Sequence, residues 1–163
     1  MFIQSIANKS LMPSHIKFED TVSYLLGRVT TAFRNSLERH MAQIGLHGGQ
    51  IFFLLELWKQ DGLRQVDLAK RLSLSAPTVN KMLKGLIEIN LVTRSRTDDD
   101  GRSTRIFLTD GGRAMRDEVE SQWLELEESC LTSLTETERL VLFDLLGKLR
   151  DAYTGCEEST DDE

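Results

Sequence analysis

The segment QVDLAKRLSLSAPTVNKMLKGLIEINLV (65–92), followed by TRSRTDDDGRSTRIFLT (93–109), carries two helical patterns and then two strand patterns. Leu68, Ala69 and Leu72 fall at i, i+1 and i+4 and mark the inward face of a first short helix. Val79, Met82, Leu83, Leu86 and Ile87 fall at i, i+3, i+4, i+7 and i+8 and mark the inward face of a second. Between them lies Ser73-Leu74-Ser75, where Leu74 is the one apolar residue and is expected to fill the angle between the helices. Ser75 is expected as N-cap, its hydroxyl accepting a backbone N–H of the next turn, and Pro77 suits that first turn. Two short helices joined by a tight break predict a helix-turn-helix.

The outward face of the second helix then carries Ser75, Thr78, Asn80, Lys81 and Lys84. Asn can bond adenine bidentately, Lys reaches guanine acceptors or phosphates, and Ser and Thr make either contact. A helix N-terminus also favours phosphate. The blander reading is a solvated helix face, and the residues after the helix argue against it. Leu91–Arg96 reads as a strand, Thr97–Arg102 as a turn with Gly101, and Ser103–Leu108 as a returning strand with Thr104, Ile106 and Leu108 on one face. A hairpin directly after such a helix is a wing.

Asp100-x-Arg102, then five residues, then Leu108-Thr109 resembles the D-x-R-x5-L-T signature of the MarR family of winged helix-turn-helix transcriptional regulators. The resemblance extends from about Phe18 to Tyr153. It implies a mainly α fold with a small β-hairpin wing, and a helical dimerisation region around the winged helix-turn-helix. It also implies a homodimer on double-stranded DNA, acting as a repressor released by a small aromatic or anionic effector. Arg102 would be the wing-tip arginine of the minor groove, held by Asp100. The bland alternative is that these two residues only fix the turn. Asp98 and Asp99 depart from the pattern, since two carboxylates at a wing tip repel phosphate. Lys81, Lys84, Arg94 and Arg105 are expected at phosphates. Leu63-Arg64 is expected to pair with the wing as a very short strand. Arg64 stands where relatives place a Ser or Thr cap, which costs about 1 kcal/mol and offers a cation near the DNA backbone.

Net charge is −6, which argues superficially against nucleic acid. Its distribution does not: residues 64–105 hold nine Lys or Arg against five Asp or Glu, +4, and the remainder carries −10. A basic lobe on an acidic body suits a DNA binder. No apolar run approaches the roughly 18 residues of a membrane span, and residues 1–12 do not read as a signal peptide. Cys130 and Cys156 lack metal-like spacing, so a reduced, cytoplasmic chain is expected.

Outside the winged helix, Phe18, Val22, Leu25, Leu26, Val29, Phe33, Leu37, Met41 and Ile44 predict one long helix closed by Gly45, with Glu19 and Asp20 in its first turn. Gln50–Lys59 is a second helix, with Ile51, Phe52, Leu54, Leu55 and Trp58 mostly buried. A long helix follows Thr109, with Met115, Val119, Trp123, Leu126 and Cys130 on one face. Gly111 and Gly112 near its start suggest a bend or a close backbone approach. Thr135 and Glu138 form a capping box before a last helix, Glu138–Tyr153, that is more apolar than one flank can use. The expected organisation is residues 1–47 as an N-terminal dimerisation helix, 48–109 as the winged helix-turn-helix, 110–154 as C-terminal dimerisation helices and 155–163 as a disordered acidic tail.

An enzyme is not expected. His15, His40 and His47 sit in no nucleophile motif, and no glycine-rich phosphate loop precedes a helix. No cofactor and no metal site are expected, since His40 and His47 straddle a helix end without a third ligand. The competing reading is a winged-helix protein-interaction module without specific DNA binding, which the basic lobe argues against. The effector pocket is unassigned, with Arg28, Arg34 and Trp58 as candidates in a cleft between the first, second and fifth helices.

Overall fold

The computed structural model describes residues 16–96 and 104–158. After a 3-10 turn at Phe18–Asp20 come α1 (Val22–Ala42), α2 (Gln50–Lys59), β1 (Leu63–Arg64), α3 (Gln65–Arg71) and α4 (Ala76–Glu88). The hairpin strands β2 (Val92–Arg96) and β3 (Thr104–Leu108) follow, then α5 (Asp110–Leu131) and α6 (Glu136–Glu158). The strands form one antiparallel sheet in the order β1-β3-β2. Leu63 pairs with Ile106, so the short strand predicted at Leu63-Arg64 does join the wing.

The core sits where α2, α3, α4 and the wing meet. Phe53, Leu54, Leu57, Leu68, Val79, Leu83, Leu86 and Ile106 are all essentially inaccessible to solvent. Each such side chain contributes about 2 kcal/mol of transfer free energy. Leu74 packs against this cluster from the turn, as expected. Two expected core positions are corrected. Phe52 is exposed while its neighbour Phe53 is buried, and Ile87 is also exposed. A helix apolar on nearly all sides, as α2 is, does not reveal from periodicity which face turns inward.

The first helix starts later than its apolar repeat suggests. Thr21 is the N-cap, its side chain accepting from the Tyr24 N–H, so Glu19 and Asp20 lie in the preceding 3-10 turn and not in the first turn of α1. The other end is as expected. Gly45 takes φ +75°, and its N–H reaches Ala42 O at 3.2 Å while Leu46 N–H reaches Met41 O at 3.0 Å. That is the paired bonding of a left-handed helix stop. Ser73 and Asn90, at φ 49° and 57°, end α3 and α4 by the same bonds without glycine.

Thr109 caps α5 by accepting from the Gly112 N–H at 3.0 Å. Gly112 makes a very close approach: a Cβ there would lie 2.0 Å from the Leu91 carbonyl oxygen. Its own carbonyl accepts from Trp58 Nε1 at 3.0 Å, which ties α5 to α2. Asp61 accepts from the Leu108 N–H and meets Arg113 at 2.8 Å, joining the α2–β1 turn to β3 and α5. The Thr135–Glu138 capping box forms, with Thr135 N–H to Glu138 Oε2 at 2.8 Å. The last helix runs on to Glu158, so the tail boundary expected at residue 155 falls inside it. Residues 159–163 lie outside the described residues.

Candidate nucleic-acid interface

Val79, Leu83 and Leu86 hold the inner face of α4 in the core, and this burial fixes which side chains face out. Asn80, Lys81 and Lys84 are exposed on the outer face, with Ser75 exposed at the tip and Thr78 half-buried beside it. Ser75 is the N-cap by backbone geometry, but its hydroxyl makes no capping bond. It pairs instead with the Thr78 hydroxyl at 2.9 Å. The expected cap is therefore corrected: the hydroxyl turns sideways to a neighbour. Among the described residues the N–H groups of Ala76 and Thr78 have no side-chain cap, and Pro77 has no N–H to satisfy. Lys84 has Glu88 at 3.7 Å, a loose and exposed pair that water and a phosphate can displace.

The wing base meets this face through Arg94. Arg94 pairs with Ile106 across β2 and β3, so both side chains lie on the same side of the sheet as Val92 and Leu108. From there its Nη2 reaches Asn80 Oδ1 at 3.5 Å. Gln65, the first residue of α3, donates to the same oxygen at 2.9 Å. Sequence reading did not single out Gln65, because helical spacing shows which residues face out and not which partners meet across separate elements.

Arg105 stands apart from the other expected contacts. It pairs with Ser95 and lies on the opposite side of the hairpin from Arg94. Its Nη1 donates to Gly62 O at 3.0 Å, so it braces the turn before β1. Arg64 does not cap α3 with its side chain. It grips Asp67 at 2.8 Å instead, which holds that carboxyl below the ordinary carboxylate range. Asp100 and Arg102, with Asp98, Asp99 and Gly101, lie outside the described residues.

A cleft of about 520 Å³ lies behind this interface, bounded by Arg34, Leu37 and Glu38 of α1, Phe52 of α2, Arg71 of α3 and Met82 of α4. A second, of about 550 Å³, runs between α2 and α5 past Leu55, Trp58, Arg116 and Trp123. Contrary to expectation, neither cleft is lined by the first, second and fifth helices together: the former lacks α5 and the latter lacks α1. Arg34 belongs to one and Trp58 to the other, and Arg28 is exposed and lines neither. His40 is bonded to its own helix at Ser36 O, and His47 to Glu38 at 2.8 Å. Among the described residues no group of three or more potential metal ligands occurs. No helix among the described residues is long and apolar enough to cross a membrane.

Two short helices at an angle, a polar tip on the second and a three-stranded wing beside it define a winged helix-turn-helix. Residues 47–104 match the MarR family. It is 33% identical over 130 residues to the transcriptional regulator TtmR of Methylorubrum extorquens (strain PA1). That match takes in 80% of this chain and 64% of TtmR, so the chain spans a little under two thirds of that relative. The fold is also similar to that of MepR from S. aureus, solved in complex with DNA, with a TM-score of 0.71 and 28% identity over 81% of this chain and 98% of that one. It is equally similar to BpsR from Bordetella bronchiseptica, whose DNA binding is regulated by 6-hydroxynicotinic acid, with a TM-score of 0.72 and 25% identity over 80% of this chain and 98% of BpsR. The matched relatives are named as regulators, not enzymes.

Proposed function

We propose that the chain binds double-stranded DNA as a homodimer and acts as a ligand-responsive cytoplasmic repressor at a palindromic operator. The observation that carries this reading is the exposed row Asn80, Lys81 and Lys84 on α4, beside an uncapped helix tip and the Arg94 of the wing. These are the side chains and the backbone groups that contact base edges and phosphates when such a helix enters the major groove. The similarity to MepR, solved in complex with DNA, supports the DNA-binding reading. Arg102 and Asp100 extend the contact to the flanking minor groove. Arg105, turned towards Gly62, contributes at most one phosphate contact from the far side of the hairpin.

The pairing of two copies is supported by apolar surface that one copy leaves open. Phe18, Val22, Leu25 and Val29 of the N-terminal region and Leu140, Val141 and Phe143 of α6 are all exposed, Phe143 at 82%. Two-fold pairing through these faces would set two α4 helices about 34–36 Å apart, one turn of DNA. The cleft with Arg34 beside Phe52 and Met82 is the candidate site for a small aromatic anion, with Glu38 on its wall and Arg71 there held by Glu56. A ligand there would sit between α1 and α4. By binding one spacing of the recognition helices better than another, it would shift the population away from the DNA-competent form.

Fluorescence anisotropy with genomic fragments, repeated over a salt series, tests the reading. Binding of selected fragments that weakens linearly in log salt supports it. Binding of no duplex at low salt favours the protein-interaction module instead.

A further inference from the structure

We infer that Asn80 reads DNA only as a hydrogen-bond donor, so that it favours guanine or thymine over adenine; this rests on the regulator reading above. The Asn80 carbonyl oxygen already has two donors, Gln65 Nε2 at 2.9 Å and Arg94 Nη2 at 3.5 Å. An amide oxygen offers two lone pairs; Gln65 takes one, and the Arg94 guanidinium stands over the other at the outer limit of hydrogen-bond distance. A guanidinium carries no acceptor, so Arg94 fixes which end of the amide faces it. The oxygen turns towards the protein and the amino group towards the groove. Among the described residues, no hydrogen bond from the Asn80 amino group to the protein is found.

This arrangement removes the contact the sequence suggested. Bidentate recognition of adenine needs the amide oxygen to accept from N6–H while the amino group donates to N7. With the oxygen engaged, only donation is left. Guanine offers O6 and N7 as acceptors in the major groove, and thymine offers O4. Adenine offers N7 alone, with its own N6 donor crowding the amino group, and cytosine presents only its N4 donor, so both are poorer partners for a donor than guanine or thymine. Gln65 and Arg94 are positioning residues: they act on the base through Asn80. They also hold the side chain in place before DNA arrives, which lowers the ordering cost of the contact.

The test is selection from a randomised duplex library with the full chain, Asn80→Ala, and the double variant Gln65→Leu, Arg94→Ala. The position whose preference disappears in Asn80→Ala identifies the base read. The full chain is expected to favour guanine or thymine over adenine there by at least about fivefold. In the double variant the oxygen is released, and adenine should gain at least about fivefold relative to guanine. A purely structural role for Gln65 and Arg94 would lower affinity without moving this preference. Circular dichroism and low-salt binding of random duplex confirm that each variant is folded. Adenine preferred by the full chain, a preference unmoved in the double variant, or no position altered by Asn80→Ala would overturn the inference alone. A full chain that retains no duplex at low salt would remove the regulator reading and the inference with it.

Discussion

Gly112 shows how tightly the winged helix is joined to α5. A Cβ at this position would meet the Leu91 carbonyl oxygen at 2.0 Å, and a backbone atom cannot swing aside. Gly112→Ala is expected to cost about 3 kcal/mol, read as a lower midpoint in urea with an unchanged slope. A stability within about 0.5 kcal/mol of the parent would show that the contact relaxes. On the DNA face, Lys84→Ala should weaken binding evenly across sequences and reduce the salt slope by about one. Arg102→Ala should cost about 1–3 kcal/mol and flatten preference at the flanks of the site. Equal affinity for all flanking sequences before and after the change would contradict that role. The outward positions Asn80, Lys81 and Lys84 were legible in the sequence, because α4 has one clear apolar stripe. The direction of each polar group was not. The Ser75 hydroxyl turns to Thr78, and the Asn80 carbonyl turns to Gln65 and Arg94. Periodicity carries no information on hydrogen bonds between residues brought together from different elements.

The junction of α1, α2 and α4 links the proposed dimerisation region to the proposed recognition helix. Glu38 of α1 accepts from His47 Nδ1 at 2.8 Å and from the Gly48 N–H at 2.6 Å. A carboxylate can only accept, so the ring nitrogen facing it carries the proton. Close by, the buried Gln50 accepts from the His47 N–H at 2.8 Å, and its amide lies against Gly85 of α4. The His47 ring, and then the Gly48 N–H, hold the Glu38 carboxyl below the ordinary carboxylate range. A lowered folded value means that the stabilisation is complete above the unfolded value, near 4.5, and is lost as pH falls through the folded one. Glu38→Gln should therefore lower Tm at neutral pH, with the gap closing only on acidification below the ordinary carboxylate range. A gap that persists unchanged to the lowest pH at which the protein folds would show that charge is not involved. Among whole elements, α2 appears with the bounds Gln50–Lys59 expected from its sequence, and the Thr135–Glu138 box starts α6 as expected. The start of α1 was less legible. The apolar repeat runs on through Phe18, while Thr21 supplies the cap that sets the true beginning.

The molecule joins a basic lobe, +4 over residues 64–105, to an acidic body that leaves apolar helix faces open. Apolar helices beyond the needs of one core were visible in the sequence as an excess of Leu, Val and Phe. Their arrangement was not, since on the proposed pairing it depends on a partner surface. Phe143, 82% exposed, is expected to be an anchor of the pairing. Phe143→Ala should raise the dimer dissociation constant about thirtyfold, or about 2 kcal/mol, in sedimentation equilibrium. A parent chain that sediments as a monomer at micromolar concentration would remove the dimer. The most direct measurement is a hydroxyl-radical footprint of the full chain on its selected duplex. Two protected patches related by a dyad, with centres about 10 base pairs apart, are predicted. A single patch without a symmetry mate, or uniform cleavage along the duplex, would contradict the account.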